Sequence, residues 1–469
     1  MSAPRLPPAG AGGASRALVA HVHGLHWADL PADVRRAARR HLLDTVGVMV
    51  AGCAGDVAGA LCTVLGRERA PGTVPVPGRA RRLDRLDAAY VGGTGAHGIE
   101  LDDGYRQGSV HPGVAVVPAL LAQAHGAQVR GTRLLEALAA GYETVTHVAR
   151  ACHPALRRRG FHPTGTVGAL GAAMAVGRLE GLDPDHLESA LGLAASGAAG
   201  LFAFLGGGGD VKRLHAGHAA REGLMAALLA RQGVQGPPGV LEARDGFFQA
   251  FAGADDTAGT GMSPALSLSE FGILDCYIKP HACCRHLQPA LEALVALAAE
   301  HALAPEMIDD IHVETYAIAA AHAHTGWQDF ASAQLSFPYI LALGLRFGAV
   351  ELAHFGAGLR DDPGLAAICT KVRVSVDDAL DRMYPELRPA RVTVRTASGS
   401  LTRTAQEALG SRLLPLDDAA LSRKFMGLAA PVLGADATHR LHDALLDIER
   451  CADVTALIAA TALPAGQDA

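Results

Sequence analysis

Between Pro31 and Phe251 apolar residues recur at helical spacing. Val34, Ala38, Leu42, Val46 and Val50 follow one another every four positions, which lines one face of an α-helix. Asp29 followed by Pro31 supplies the start signal for that helix. Later stretches of the same region are rich in Ala, Leu and Gly, and only 4% of the chain is aromatic. Small side chains in such number predict helices that approach one another closely.

The texture changes after the Gly/Asp/Thr-rich stretch Gly253 to Gly261. Ile311, Val313 and Thr315 alternate in one segment, Val372, Val374 and Val376 in a second, and Val392, Val394 and Thr396 in a third, just before Ser398-Gly399. Period-two alternation ahead of turn residues predicts strands, with a hairpin around Gly399. Asp417 to Leu428 and His439 to Ile458 return to the helical pattern. The chain has 469 residues and 49% hydrophobic content, too long for one ordinary domain. The expected class is mainly α with a second α+β domain. In detail we expect a loose tail at 1–15, a helical domain formed by 16–276 together with 406–469, and a smaller α+β domain at 277–405.

Lys plus Arg number 41 against 47 Asp plus Glu, for a net charge of -6, so no general attraction to nucleic acid or an anionic membrane is expected. A small anionic substrate would need a local basic pocket. Met1 to Ser15 lacks the basic start and apolar run of a secretory signal. Ser189 to Gly209 has the length of a membrane span but is punctuated by Gly, and is better read as a buried helix running into a loop. The cysteines are scattered apart from Cys283-Cys284, in the manner of reduced thiols, and a cytoplasmic location is expected.

Four segments can carry chemistry. Glu100-Leu-Asp-Asp-Gly-Tyr-Arg-Gln-Gly-Ser-Val-His111 crowds Glu100, Asp102 and Asp103 beside Arg106 and His111, which suits proton transfer but also an acidic turn. His162 precedes Pro163 at a helix start, where free N–H groups welcome a carboxylate and where a capping histidine is equally at home. Gly206-Gly-Gly-Gly-Asp-Val-Lys212 lacks P-loop spacing and suggests a flexible arm delivering Lys212 to an anion, ahead of a helix from Ala216 to Gln232. Ile278-Lys-Pro-His-Ala-Cys-Cys-Arg-His286 offers Lys279 and Arg285 as carboxylate grips. Metal binding by His281, Cys283, Cys284 and His286 matches no standard spacing. His21, His23 and His26, and His322 with His324, make no convincing ligand sets, because neighbours two apart on a helix share no face, and are expected at the surface.

These segments, in this order, resemble the MmgE/PrpD family, which includes 2-methylcitrate dehydratases, cis-aconitate decarboxylases and iminodisuccinate epimerases. His41-Leu-Leu-Asp-Thr-Val-Gly47, Gly200-Leu-Phe-Ala-Phe-Leu205, Lys212-Arg-Leu-His-Ala-Gly217, Asp245-Gly-Phe-Phe-Gln-Ala-Phe251 and Ser336-Phe-Pro-Tyr339 look like further blocks of it. The resemblance implies an all-α domain built from both chain ends, a smaller lid domain, a homodimer, and catalysis without metal or organic cofactor. It also implies a pocket lined by Glu100 or the Asp102-Asp103 pair, His111, His162, Lys212, Lys279 and Tyr339. Against the decarboxylase branch, the first segment has Glu100 in place of Asp and Gly104 in place of Thr, and Cys283-Cys284 stands near the place of a further histidine.

Dehydration, decarboxylation and epimerisation of small polycarboxylates all create negative charge beside a carboxylate. Lys212, Lys279 and Arg285 would stabilise that charge while His162 or Asp102 exchanges the proton, with His111 or Tyr339 as the remaining acid. Glu100, Asp103, Arg106 and His286 would complete substrate binding. The first expectation is a hydro-lyase acting on a 2-methylcitrate-like acid, with decarboxylation of a cis-aconitate-like acid or epimerisation of a dicarboxylate as alternatives. The alternative of another class is a non-catalytic carboxylate binder or a structural dimer; a binder needs the cations, but has little use for His111, His162, Tyr339 and a carboxylate cluster together.

Overall fold

The computed structural model describes residues 13–68, 70–206, 210–253 and 266–466. Most of the expected tail at 1–15 and of the Gly253 to Gly261 stretch lies outside these residues, as do residues 207–209 of the glycine run. The chain divides into two compact units. The first comprises Met1–Gly98, Asp102–Cys276 and Leu421–Ala469, and the second Ile99–Leu101 and Tyr277–Ala420.

The first unit is helical. Counting helices of ten residues or more, its part before Tyr277 holds α1 (Ala14–His23), α2 (Ala32–Cys53), α3 (Asp56–Glu68), α4 (Arg85–Ala96), α5 (Gly113–Ala124), α6 (Gly131–Cys152), α7 (Pro163–Glu180), α8 (Pro184–Ser196) and α9 (Val211–Arg231). Helix α5 is apolar apart from Gln123 and buried along its whole length, as suits a central core helix. Around it α9 packs on α7 and α4, and α7 packs on α6. Small residues make this closeness possible. A Cβ on Gly217 would stand 2.2 Å from the Tyr90 carbonyl oxygen, and one on Gly93 would stand 2.7 Å from Cα of Gly217. Helix α7 has Pro163 in its first turn and ends on Gly181 at φ 74°, a start and a stop that suit each residue's backbone limits.

Two local expectations change. Helix α9 begins at Val211, a turn before Ala216, so Lys212 sits in its first turn and not on a free arm. The apolar pattern missed that turn because Val211 to His215 is not core-facing. At the other end Ser15 is buried, and its hydroxyl donates to Glu242 at 2.7 Å.

The second unit contains α10 (Gln288–Glu300), α11 (Phe337–Phe347) and a four-stranded sheet of β1 (Ile308–Thr315), β2 (Val372–Val376), β3 (Ala390–Thr396) and β4 (Gly399–Ala405). The strand order is β2-β1-β3-β4. Strands β1 and β2 are parallel, with Val313 opposite Val374, and the other pairings are antiparallel. The parallel pair is joined by a helical crossover that contains α11, as parallel neighbours require. The hairpin falls at Gly399, whose φ is 135°, and α10 covers β3 and β4. Helices α12 (Asp418–Leu433) and α13 (Ala435–Leu446) follow, and from Leu421 onward they belong to the helical unit. Among the described residues no single helix is long and apolar enough to cross a membrane.

Candidate active site

Helix α4 ends at Ala96, and His97 caps it with its side chain fully buried. Asp102 and Asp103 follow after a short irregular stretch, and they serve different partners. Asp103 is scaffold: its Oδ1 accepts the N–H of Gly113 at the start of α5 at 3.0 Å, and its Oδ2 accepts the Tyr142 hydroxyl at 2.6 Å. The same Oδ2 lies 2.9 Å from His41 Nδ1. Asp102 gathers imidazoles instead. Its Oδ2 lies 2.7 Å from His97 Nδ1 and 2.9 Å from His111 Nδ1. His111 Nδ1 is also 2.6 Å from the Asp103 carbonyl oxygen. A ring nitrogen facing two acceptors carries the proton, so His111 keeps Nε2 for exchange.

His162 sits where sequence reasoning put it, at the N-terminus of α7. Its ring stacks on His97 at 5.6 Å between centroids, meets Phe202 and Phe204 edge-on at 5.0 and 5.3 Å, and presents Nδ1 to His215 Nδ1 at 3.1 Å. Burial, then the charges of His97, His215 and His111, hold its pKa well below the ordinary histidine range against the pull of Asp102. Burial likewise lowers His97 to about 3, with Asp102 opposing and the Lys212 charge assisting. Lys212 therefore stands within electrostatic reach of this array. Asp102, His111, His162 and Lys212 gather with His97 and His215 in the helical unit, and sequence reasoning did not single out those last two as site residues.

In the second unit Lys279 is 1% exposed, with Nζ 3.2 Å from Glu100 Oε2. Glu100 has a φ of 55°, in the left-handed region that is uncommon for a side-chain-bearing residue. Arg285, expected to grip a substrate carboxylate, instead holds the carbonyl oxygens of Ala408 and Leu409 at 2.8 and 2.6 Å, with Glu407 at 3.7 Å. His286 Nδ1 meets the Tyr316 hydroxyl at 2.5 Å, and the Tyr339 hydroxyl donates to the His354 carbonyl at 2.9 Å. Arg106 is half-buried in a short turn, Arg106–Gly108. Burial pushes the half-buried Cys284 thiol up, but a hydrogen bond and charge from His322, an N–H of His286 and Lys279 outweigh it and leave it lowered to about 6. His322 thus has a partner, contrary to the surface role expected of it.

Among the described residues two groups have ligand atoms near enough to share an ion: His97, Asp102 and His111, and His21, Glu143 and His147. The first has N···O separations of 2.7 and 2.9 Å. Metal bonds of 2.0–2.1 Å at tetrahedral angles would space the atoms by about 3.3 Å, so these are hydrogen-bond distances. In the second, Glu143 Oε2 lies 3.0 Å from His147 Nε2 and 3.4 Å from His21 Nε2, while an Arg150 nitrogen lies 3.4 Å from His147 Nδ1. That N–H leaves Nδ1 as the acceptor and Nε2 as the protonated donor, and it sets a cation where a metal site wants none. His21 is therefore half-buried against Glu143 and not a surface residue.

The chain is similar to the cis-aconitate decarboxylase of Aspergillus terreus, at 28% identity over 92% of this chain and 94% of that protein. It is 29% identical to a cis-aconitate decarboxylase-like protein of Aspergillus oryzae over 92% and 93% of the two chains. The cis-aconitate decarboxylase of Mus musculus is 26% identical over 93% and 91%. The MmgE/PrpD N-terminal domain matches residues 16–259 and the MmgE/PrpD C-terminal domain residues 281–450. Nearly the whole chain is thereby accounted for, and it belongs to the MmgE/PrpD family.

Proposed function

We propose that this enzyme decarboxylates a cis-aconitate-like tricarboxylic acid with its own side chains, without a metal ion or organic cofactor. The observation that carries the reading is the buried array in which Asp102 meets His97 and His111, beside His162 and within reach of the Lys212 charge. Similarity to proteins named cis-aconitate decarboxylase, over nearly their full lengths, favours carbon–carbon cleavage over the dehydration expected from the segments alone. Arg285 and Tyr339 are engaged with backbone carbonyl oxygens, which favours the helical unit's lysine and histidines for the charge-stabilising and proton-transfer roles.

In the proposed reaction a carbon–carboxylate bond breaks and CO2 leaves. The electron pair stays on carbon and spreads through the double bond towards a neighbouring carboxylate. Lys212, half-buried beside the buried imidazoles, opposes that developing charge, and one such group is worth about a hundredfold or more in rate. His111, with Asp102 behind its Nδ1, delivers a proton from Nε2 to carbon, so each turnover consumes one proton. His162, held neutral by burial, serves as a hydrogen-bonding partner of the substrate.

Purified protein given cis-aconitate and, separately, 2-methylcitrate tests the reading by 13C NMR. CO2 formed in step with cis-aconitate loss supports decarboxylation. Alkene formation from 2-methylcitrate without CO2 returns the enzyme to the hydro-lyases, and turnover of neither acid sinks both readings.

A further inference from the structure

A single carboxylate oxygen, Asp102 Oδ2, faces two ring nitrogens, His97 Nδ1 at 2.7 Å and His111 Nδ1 at 2.9 Å. An ionised carboxylate only accepts, so His97 turns its N–H toward it, while His111 shares its Nδ1–H between Asp102 and the Asp103 carbonyl oxygen at 2.6 Å. The two rings are not equivalent. His111 is partly open, with its side chain 17% exposed, whereas His97 is sealed. Burial keeps His97 neutral through the working pH range, so it cannot serve as the proton donor. Its other nitrogen, Nε2, is buried without a hydrogen-bond partner among the described residues. What His97 contributes in hydrogen bonding is therefore one N–H, aimed at Asp102.

We infer that His97 is a positioning residue that, by taking a share of the Asp102 carboxylate, sets how strongly His111 holds its proton. The inference rests on the proposed role of His111 as the group that moves a proton. Two donors on one oxygen divide its negative charge, and each stabilises a positive partner less than it would alone. With His97 in place His111 releases its proton more readily; without it the whole carboxylate backs the His111 imidazolium. The other groups around His111 stay as they are. Among them are the Asp103 carbonyl at Nδ1, the Thr164 hydroxyl at its backbone N–H, the His162 ring at the start of α7, and Lys212 on α9, whose charge reaches His97.

The test compares two substitutions of similar polarity. In His97→Asn the amide nitrogen occupies the place of Nδ1 and can still donate to Asp102; in His97→Gln it reaches the place of Nε2 and cannot. His111 is followed by NMR titration of 15N-histidine-labelled protein without substrate, and by the pH profile of kcat/KM on cis-aconitate. His97→Asn is expected to keep the wild-type titration of His111. His97→Gln is expected to move it up by about one pH unit, a tenfold change in proton affinity. The corresponding limb of the profile moves up with it, whether His111 acts as acid or base. Should His97→Gln lose its melting transition, His97→Leu carries the same expectation. Asn and Gln variants that titrate alike, or a downward shift in Gln, overturn the inference. A shift seen by NMR in a protein that turns over no acid leaves the His97 role standing and overturns the proposed reaction instead.

Discussion

Lys212 stands in the first turn of α9, the end of a helix where a cation is disfavoured by about 0.3–1 kcal/mol. A lysine kept there against the local field answers to something other than helix stability. Lys212→Ala is therefore expected to lower kcat/KM on the true substrate by about a hundredfold or more while leaving the melting temperature unchanged or slightly raised. An unaltered kcat/KM would return Lys212 to the solvated surface. Tyr142→Phe should behave in the opposite way. It removes the buried 2.6 Å hydrogen bond to Asp103, which costs about 1.5–3 kcal/mol, read as a lower melting temperature in the absence of substrate. Asp102, His111, His162 and Lys212 are legible in the sequence because each sits beside a carboxylate, a helix start or a glycine run. His97 and His215 are not. Their partners are met across a loop and across two helices, and no spacing rule connects them.

At the level of elements, α4 and α9 carry three groups of the array between them. Helix α4 delivers His97 from its C-terminal end, and α9 delivers Lys212 and His215 from its first turns. Their separation is set by Gly93 and Gly217, where any Cβ would collide with the opposing backbone. Gly217→Ala should push the two helices apart, destabilise the fold by about 1–3 kcal/mol and reduce turnover, because His97 and Lys212 shift relative to each other. Calorimetry and a kcat measurement on the same sample check both effects, and a variant with wild-type stability would show that the crossing can give way. The Ala- and Gly-rich texture made close packing legible. The strands were legible too, since β1, β2 and β3 alternate cleanly, but β4, Gly399–Ala405, is mostly exposed and carries little apolar signal.

Across the whole molecule the buried acids pull in opposite directions with pH. Burial pushes the Glu143 carboxyl up, yet hydrogen bonds from His147 and His21, with the Ile273 N–H, outweigh it and leave the pKa below 4.5. A depressed carboxylate adds stability above its unfolded pKa and loses it as pH falls through the folded value. Asp44 is the reverse. Burial raises it above 3.8 despite Lys424, so its ionised form costs stability near neutrality, and that cost fades on acidification. The expected outcome is a melting temperature that falls as the pH drops below about 4.5, with a shallower fall in Glu143→Gln; the unfolded reference comes from ordinary carboxylates. Parallel pH curves for the two proteins would remove Glu143 from that account. A helical domain closed by both ends of the chain was legible in the return of the helical pattern. The pairing that closes it was not, because Asp44 and Lys424 lie at opposite ends of the sequence.

That pairing has a consequence for how the protein is made. Asp44 lies on α2 with no exposed side-chain surface, its neighbours His41 and Asp103 form the shell behind the array, and its Oδ1 is met by Lys424 Nζ at 2.6 Å. At about 5–20 residues per second, a ribosome needs tens of seconds after making Asp44 before Lys424 leaves the exit tunnel. During that interval a nascent helical unit can collapse only by burying an unpaired carboxyl or by leaving α2 unseated. The residues from Leu421 onward thus complete the helical unit, and a polypeptide released before Leu421 would carry every group of the helical-unit array yet lack the counter-charge that meets Asp44 behind it.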